Sequence, residues 1–288
     1  MRIQDPRMEY YHQTYQNSIL WKGKESLKNK KIIIYCEQGT GDTVQFLRYL
    51  PLLKTKGCHI ILHCPEILHC VLPYISGVDE WLEKFDDNLP EHDFHILILD
   101  LPFLTLKDKP VDIETWWEGK ELEKYMSQVL QNIPTTPYIN FKEQETLPDG
   151  TNIGICWAGS PAHYNDAERS CNLKYFNCLN GRLFSLQKEI YEKYTAGAEK
   201  TVLWGTELNN LLDTLKLINS LDVVVTVDTL IMHLAGALNK KTYVMLGKNP
   251  DARWKRGEGT KWYPSITFCR SDGDWELAFK QLPEELRK

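Results

Sequence analysis

An alternation of strand-like and helix-like segments, which occurs twice in succession, limits what this chain can fold into. The first series has apolar runs at 31–36, 58–64 and 94–102, with a Gly-containing turn and an amphipathic helix after the first run. The second series starts near residue 152 and contains a fully apolar run at 222–229. Such runs are typical of parallel strands buried on both faces, and their alternation with helices indicates right-handed crossovers. The sequence therefore predicts an α/β fold with two Rossmann-like domains.

The boundary between the two series lies in a less regular segment, residues 103–150, which is rich in Pro, Asp, Glu and Trp. We predict an N-terminal domain over 1–146 and a C-terminal domain over 147–288, with a terminal helix interrupted at Pro283. In open α/β sheets the ligand lies beyond the carboxyl ends of the strands. We therefore expect the two parallel sheets to face an interdomain cleft, with the chemistry at the strand-to-helix junctions.

Composition and charge exclude several classes of protein. Hydrophobic residues make up 42% of the chain and charged residues 25%, as in an ordinary globular protein. No run approaches the roughly 20 apolar residues of a membrane helix, and the first residues lack the apolar region of a secretory signal. We therefore expect a cytoplasmic protein. The net charge of −5 argues against a general nucleic-acid binder.

The eight cysteines include no CxxC pair. The dipeptides His63-Cys64 and His69-Cys70 lack, nearby, the second pair of ligands that a zinc site needs. Several other cysteines lie in apolar, strand-like runs, where a reduced cysteine packs as a small apolar residue. We predict that the cysteines have a packing role and that the chain has no metal ligands.

The first junction is EQGTGDT at 37–43, which includes Gly39, Gly41 and Asp42. The glycines permit unusual backbone angles and close approach of a ligand, and the helix N-terminus behind them presents free N–H groups. The third glycine of a dinucleotide fingerprint is missing, which disfavours a nicotinamide cofactor. Asp42 has two interpretations: it caps the helix, or it is a general base that deprotonates an acceptor hydroxyl.

The second junction is the segment 227–237, where a buried strand runs directly into a helix. Asp228 and Thr229 lie at the helix N-terminus, a ready site for anions. His233 follows on an otherwise apolar helix, either as a buried core residue or as a ligand contact. Gly236 allows close packing of the helix on the sheet or close approach of a ligand.

Further junctions place small, charged or aromatic residues after a strand. In the segment from Trp157 to Ser160, the small residues, Gly159 among them, let a phosphate approach, and Arg169 could pair with it; a solvated arginine on an exposed loop is the alternative. Lys188 lies at another strand end, where it could reach a phosphate or a ribose. The segment 251–264 is rich in aromatic rings, which either stack on sugars or bases or pack as a lid on the core.

Five blocks of sequence, in order, carry a resemblance: EQGTGDTVQFLRYLPLLK, ICWAGSP with ERS, FSLQK, VTVDTLIMHLAGALNK, and DARW with WYPS and DWE. They resemble the glycosyltransferase-like domain that follows tetratricopeptide repeats in many bacterial proteins, a relative of the ADP-heptose:lipopolysaccharide heptosyltransferases. The resemblance runs from about Trp21 to Leu282; the repeats have no counterpart in this sequence. It implies a GT-B architecture, a donor site in the C-terminal domain, no obligatory metal, and a terminal helix that crosses back toward the N-terminal domain.

The resemblance also implies residue roles. Asp42 matches the catalytic base proposed for the heptosyltransferases. Asp228, Thr229 and His233 match the donor-binding segment, and Arg169 and Lys188 fall in blocks near the donor phosphates. With the junction residues described above, the predicted donor-binding set is Gly39, Gly41, Trp157, Gly159, Arg169, Lys188, Asp228, Thr229, His233 and Gly236. The phosphate-loop lysine motif of the heptosyltransferases is not reproduced at 157–172. The donor is therefore a nucleotide sugar whose base and sugar stay open.

The resulting hypothesis is a metal-independent, inverting glycosyltransferase that uses a nucleotide-sugar donor, needs no other cofactor and acts on a glycan. One alternative is a phage-type enzyme that glycosylates 5-hydroxymethylpyrimidines in DNA, with a basic groove built from 28–31, 54–56 and 253–256; the acidic net charge counts against it. Another is a nucleotide-sugar- or glycan-binding module without catalysis. An NAD-dependent dehydrogenase is disfavoured by the broken fingerprint.

Overall fold

The computed structural model describes residues 11, 13–83, 89–105, 128–163, 165–190, 192–198, 203–204, 207–254 and 257–288. The chain divides into two compact units, Met1–Ile139 and Asn140–Lys288. Both contain a sheet of mainly parallel strands, which confirms the predicted α/β class with parallel sheets. The predicted division into an acceptor-side half and a donor-side half at 146/147 stays a prediction.

The described part of the first unit contains a parallel sheet of order β3-β2-β1-β4. Its strands are β1 (Lys31–Tyr35), β2 (His59–His63), β3 (Glu80–Trp81) and β4 (Phe94–Leu97). Residues 32–35 are fully buried, as expected for a β-branched run inside a parallel sheet. Because β1 lies between β2 and β4, the junction at 37–43 leaves the sheet near its middle.

The helical segments of this unit are shorter than the sequence predicts. Between residues 31 and 105 the described helical segments are α1 (Thr40–Leu47), α2 (Leu50–Lys54) and α3 (Leu101–Leu104), with 3-10 turns at Glu66–Leu68, Leu72–Tyr74 and Ile98–Asp100. The single amphipathic helix predicted after β1 is two helices. The ring of Pro51 clashes with the carbonyl of the residue four positions earlier in a continuous helix, and that residue, Leu47, is where α1 ends.

The second unit contains a sheet of order β10-β11-β9-β8-β5-β6-β7, in which every pairing is parallel except the antiparallel one between β10 and β11. Its strands are β5 (Asn152–Cys156), β6 (Arg182–Ser185), β7 (Leu203–Trp204), β8 (Val223–Val227), β9 (Thr242–Leu246), β10 (Gly259–Thr260) and β11 (Tyr263–Arg270). The predicted strand at 201–204 begins outside the described residues.

Four α-helices are described in the second unit: α4 (Asp166–Arg169), α5 (Leu211–Ser220), α6 (Leu230–Ala237) and α7 (Trp275–Lys280). The start of α5 follows from its sequence, since Asn210 and Asp213 form a reciprocal capping box. The described chain has no helix long and apolar enough to cross a membrane. The cysteines are unbonded to one another and, except for Cys70 and Cys178, buried, which confirms their packing role.

The terminal segment ends its helix before Pro283, as predicted, and a 3-10 turn follows at Glu284–Leu286. The ring of Phe279 packs edge-on against Phe176, with 4.9 Å between the ring centroids. The N–H of Asn180 donates to the carbonyl of Leu286. These contacts lie within the second unit, and the predicted crossing of the terminal helix toward the N-terminal half stays a prediction.

A cluster of tyrosine and histidine side chains covers one face of the first sheet. His95 is 4% exposed; its Nδ1 lies 2.8 Å from Ser18 Oγ and its Nε2 2.8 Å from Tyr11 OH. Tyr15 OH lies 2.9 Å from Nδ1 of the buried His63. Burial, together with the charge of His92, lowers the pKa of His95 to about 4.

We predict that His95 makes the protein less stable as the pH falls from about 6.5 to about 4. In this window the unfolded state binds a proton at His95 that the folded state excludes, so acidification favours unfolding. Replacement His95→Gln should flatten the slope of unfolding free energy against pH by about 1.4 kcal/mol per pH unit. The measurement is denaturant unfolding across this range.

The matched control is His59→Gln, because the His59 side chain is 42% exposed beside Glu80. We expect this variant to keep the wild-type slope. A His95→Gln protein with the wild-type slope would show that folding does not lower the pKa of His95.

Candidate functional site

The carboxyl edge of the second sheet brings three of the predicted junctions together. β5 lies between β6 and β8, parallel to both. The segments that leave these strands therefore start at the same edge: Trp157 after β5, Leu186 after β6 and Asp228 after β8.

Gln187 joins two of these segments, although the sequence prediction did not include it. Its Oε1 accepts hydrogen bonds from the N–H groups of Trp157, at 3.3 Å, and Ala158, at 3.0 Å. The predicted Lys188 is exposed one residue further on. In the sequence, Gln187 could have been found as the polar residue that directly follows the strand run RLFSL. Gln187 fixes the backbone at the end of β5, and Lys188 is left at the surface.

Trp157 is fully buried, so its indole packs in the core beneath this edge. Among the described residues its Nε1 has no hydrogen-bond partner. The side chain lies in the same apolar cluster as Ile155 and Val225 of the adjacent strands. Trp157 therefore supports the edge from below, and its predicted contact with the donor stays a prediction.

Arg169 is the last residue of α4, and its guanidinium lies against Gly159. A Cβ at position 159 would overlap the guanidinium, so the glycine is needed for this close approach. Arg169 Nη1 donates to the Asp228 carbonyl and Nη2 to the Ser160 carbonyl, each over 3.4 Å. Its Nε is buried and has no hydrogen-bond partner within the described chain. The structure thus brings together three predicted residues, Gly159, Arg169 and Asp228.

The α6 N-terminus carries one further predicted residue, Thr229, directly after Asp228. Thr229 is the N-cap, and its Oγ1 accepts from the Ile231 N–H over 3.3 Å. Asp228 Oδ2 accepts from Nε1 of Trp254 over 3.1 Å. The carboxylate is therefore held by an indole from a segment 26 residues further along the chain.

His233 and Gly236 face Tyr263, the first residue of β11. His233 is 4% exposed, with 2.9 Å between its Nδ1 and Tyr263 OH. A Cβ at position 236 would overlap the Tyr263 ring. Of the two interpretations of each residue, the packing one accounts for these contacts. Donor contacts by His233 and Gly236 stay predictions.

The aromatic rings of 251–264 are largely internal. Trp254 and Tyr263 are fully buried and Trp262 is 3% exposed. The guanidinium of Arg253 lies 5.1 Å from the Trp254 ring centroid, and Arg270 Nη2 donates to the Trp254 carbonyl over 2.6 Å. The lid interpretation therefore accounts for these rings, because buried faces cannot stack on a ligand.

In the first unit, α1 begins at Thr40 with Gly39 as its N-cap, so Asp42 is the third helical residue and is not the capping residue. Neither glycine uses the unusual backbone angles that its type permits. Gly39 has φ −61° and ψ 160°, values open to any residue, and Gly41 lies inside the helix. A Cβ at position 39 would lie 3.5 Å from Asp42 Oδ2. The first turn is therefore compact around a half-buried carboxylate.

The neighbouring Glu37 is fully buried, and its Oε2 accepts from the Ile98 N–H over 3.2 Å. It ties the carboxyl end of β1 to that of β4. Glu37 lies two residues before Gly39, and the sequence prediction did not include it. A glutamate directly after the apolar run at 32–36 was the feature that could have indicated it.

Two of the three predicted basic groups lie at the amino edge of the first sheet, opposite the edge where Asp42 follows β1. Residues 28–31 lead into β1 and 54–56 precede β2. Lys30 pairs with Asp93 at 2.7 Å and Lys54 with Asp79 at 2.5 Å. In the third group, 253–256, Lys255 and Arg256 lie outside the described residues. Within the first unit, the lysines are at the opposite sheet edge from Asp42 and partly neutralised.

Comparison with known proteins gives one family match. Residues 178–283, which include β6, β8, α6 and the segment with Trp254 and Tyr263, match the family model "Glycosyltransferase family 9 (heptosyltransferase)". The curated proteins give no significant match. The chain contains a heptosyltransferase-like segment.

Several solved structures are similar along most of the chain. The family 9 glycosyl transferase from Veillonella parvula DSM 2008 is 14% identical, with a TM-score of 0.56 over 86% of this chain and 88% of that one. The E. coli ADP-heptose lps heptosyltransferase II is 13% identical, with a TM-score of 0.53 over 88% of this chain and 96% of that one. The E. coli heptosyltransferase WaaC with ADP-2-deoxy-2-fluoro heptose is 12% identical, with a TM-score of 0.52 over 86% of this chain and 95% of that one.

At these identities the structural likeness shows the fold, which is that of heptosyltransferases. The family match adds the segment that contains Asp228, Thr229 and Gln187. Together they indicate a nucleotide-sugar-dependent glycosyltransferase and support the predicted relation to heptosyltransferases. The narrower resemblance to domains that follow tetratricopeptide repeats stays a prediction. Among the described residues, no group of three His, Cys, Asp or Glu side chains is placed to hold a metal.

We predict that Gly236→Ala destabilises the protein by about 1–3 kcal/mol, the usual cost of overpacking a tight interior. The new methyl group would overlap the Tyr263 ring. The measurement is the unfolding free energy of the single variant and of its combination with Tyr263→Leu, which removes the ring. The cost of the alanine should shrink in the Tyr263→Leu background. Equal costs in both backgrounds would show that the glycine is not there for packing.

Proposed function

We propose that the protein is an inverting glycosyltransferase that transfers a sugar from a nucleotide-sugar donor to a hydroxyl of an acceptor glycan. The observation that carries the proposal is the edge formed by Arg169, Gly159 and the start of α6. Part of this edge lies within the segment that matches family 9. An arginine beside a helix N-terminus is suited to the diphosphate of such a donor.

The leaving group determines what the donor side must do. When the bond between the anomeric carbon and the diphosphate breaks, the electron pair leaves with the diphosphate. Preorganised donors must stabilise that charge. Arg169 has long hydrogen bonds of 3.4 Å to neutral carbonyls. Phosphate oxygens would replace them with shorter, charge-assisted ones. In this proposal Arg169 and the α6 N-terminus neutralise the diphosphate without a metal, and exposed Lys188 assists.

Asp228 and Gln187 support the same end of the sheet. The indole of Trp254 holds one oxygen of the Asp228 carboxylate, which orients it for hydroxyl groups of the donor. Gln187 holds the backbone at Trp157 and Ala158. We assign Asp228 and Thr229 to donor binding and Gln187 to positioning the loop after β5.

Asp42 supplies the base in the proposed reaction. Its carboxylate takes the proton of the acceptor hydroxyl, and the oxygen attacks the anomeric carbon as the diphosphate leaves from the opposite face. One direct displacement inverts the anomeric configuration. The half-buried position of Asp42 in the first turn of α1, at the carboxyl end of β1, supports this role.

The similar solved structures suggest the first substrates to test. One is the E. coli heptosyltransferase WaaC with ADP-2-deoxy-2-fluoro heptose, and another is the E. coli ADP-heptose lps heptosyltransferase II. We therefore propose heptosyl transfer from ADP-heptose to a lipopolysaccharide-type glycan as the first reaction to assay. The ion pairs of Lys30 and Lys54 at the amino edge of the first sheet do not favour a DNA acceptor.

We predict that one nucleotide family stabilises the protein and that Arg169→Gln weakens its binding about 10- to 100-fold, as expected for the loss of charge-assisted hydrogen bonds. The measurement is a thermal-shift screen of ADP-, UDP-, GDP- and CMP-sugars with their free nucleotides, followed by calorimetry. Arg182→Gln is the matched control, because Arg182 begins β6 at the opposite edge. No binding by the wild type would favour a protein without nucleotide-sugar chemistry.

We predict that Asp42→Asn lowers the transfer rate about 10²- to 10⁴-fold, the usual contribution of a general base, while donor affinity stays at the wild-type value. The measurements are kcat, donor binding, and the anomeric configuration of the product by NMR. Asp93→Asn, at the amino edge of the same sheet, is the control and should keep full activity. Full turnover by a folded Asp42→Asn protein, or a retained configuration, would overturn the mechanism. Binding of donor without transfer to any acceptor would favour a binding module.

A further inference from the structure

Asp166 is a nearly buried carboxylate outside the predicted set, with three hydrogen-bond donors around it. It is 4% exposed. Its Oδ1 accepts from Ser170 Oγ over 2.6 Å, and its Oδ2 accepts from Tyr194 OH over 2.8 Å and Lys193 Nζ over 3.0 Å. Burial alone would raise the pKa of Asp166, but these hydrogen bonds outweigh it and lower the pKa. The side chain is therefore a fixed anion at neutral pH.

Ser170 transmits this fixed position to the loop after β5. A hydroxyl has one hydrogen, and here it is directed at Asp166. The Ser170 oxygen then accepts from the Gly159 N–H over 2.9 Å. The chain of contacts runs from Asp166 through Ser170 to the backbone against which the Arg169 guanidinium lies.

The arrangement also leaves the charge of Arg169 available. Asp166 and Arg169 are three residues apart on α4, a spacing at which opposite charges normally pair. Instead, the Asp166 oxygens are taken by Ser170, Lys193 and Tyr194. The hydrogen bonds of Arg169 to described residues end at two neutral carbonyls. Lys193 thus neutralises the local carboxylate, and Arg169 stays a cation for an anionic ligand.

Lys193 and Tyr194 belong to a short 3-10 turn, Glu192–Tyr194, on the chain beyond β6. The Lys193 side chain is 56% exposed, with its ammonium on Asp166 and 4.5 Å from the Tyr194 ring centroid. Two neighbouring segments of the sheet edge are therefore tied to one carboxylate.

From these contacts we propose that Asp166 is a positioning residue that holds Gly159 through Ser170 and keeps Arg169 directed at the donor diphosphate. The proposal rests on the proposed function, because Arg169 must bind that diphosphate. Asp166 itself touches no reacting atom. Its action passes through Arg169, so its effect on binding must depend on Arg169.

The test is a double-mutant cycle on the full chain, with ADP, or the nucleoside diphosphate selected by the donor screen, as the calorimetric probe. Asp166→Asn keeps the shape of the side chain but replaces one acceptor oxygen by an amide group, so the Ser170 contact or one of its companions is lost. We expect affinity for the diphosphate to fall about tenfold, as for the loss of one charge-assisted hydrogen bond. In the Arg169→Gln background the same change should have almost no further effect.

Two further comparisons separate positioning from general stability. Ser170→Ala should reproduce the loss of affinity, whereas Ser170→Thr, which keeps the hydroxyl, should restore it. Asp222→Asn is the matched control. Asp222 Oδ2 accepts from the N–H of Asn152 over 2.7 Å. Asn152 is the first residue of β5, at the opposite end of the strand from the loop that Arg169 contacts. This variant should bind like the wild type. If Asp166→Asn fails to fold, the pair Ser170→Ala and Ser170→Thr carries the test, because the proposed action of Asp166 passes through the Ser170 hydroxyl.

The outcomes distinguish this proposal from the proposed function. A wild type that binds no nucleoside diphosphate would overturn the proposed function and this proposal with it. A wild type that binds, together with Asp166→Asn of equal affinity, would overturn the positioning role alone. Additive losses in the Arg169→Gln background would do the same, because they would show that Asp166 does not act through Arg169.

Discussion

The in-register parallel pairing of β5 with β6 and β8 is the constraint on which the rest of the second unit depends. Ile155 lies beside Ser185 on one side and Val225 on the other, so the three strands end at nearly the same level. A Cβ at Gly154 would press on the side chains of Leu221 and Leu186, so the apolar layer packs directly against this strand. The polar segments that follow these strands can then reach one another.

Much of this framework could be predicted from residue patterns. The β-branched runs are β1 and β8, and the Asn-Asn-Leu-Leu-Asp start of α5 has its capping box. Such features are local, because burial on both faces and end-capping act over a few residues. The break between α1 and α2 was also readable, since Pro51 cannot continue the first helix. The apolar residues before and after Pro51 nevertheless have helical spacing, which is why the sequence pattern predicts one helix there.

The contacts of the site could not be predicted in the same way, because they join residues far apart in the sequence. Trp157 and Gln187 are 30 residues apart, and so are His233 and Tyr263. A histidine on an apolar helix suggests either a ligand contact or a core residue, and only its partner distinguishes the two. No local sequence pattern indicates a role for Asp166, because its hydrogen-bond donors Lys193 and Tyr194 lie on another segment of the chain.

Charge is distributed locally, so the net charge of −5 says little about what one edge of a sheet can bind. At the amino edge of the first sheet, Lys30 and Lys54 lie beside carboxylates in exposed pairs, which contribute little to stability but cancel their fields. In the second unit, Lys193 neutralises Asp166, whereas Arg169 meets only carbonyl oxygens among its described hydrogen-bond partners. An acidic protein can therefore still have a cation that is not paired with a carboxylate among the described residues, which is the basis of the role proposed for Arg169. What matters is which cation lacks a carboxylate, and that depends on side-chain placement rather than on composition.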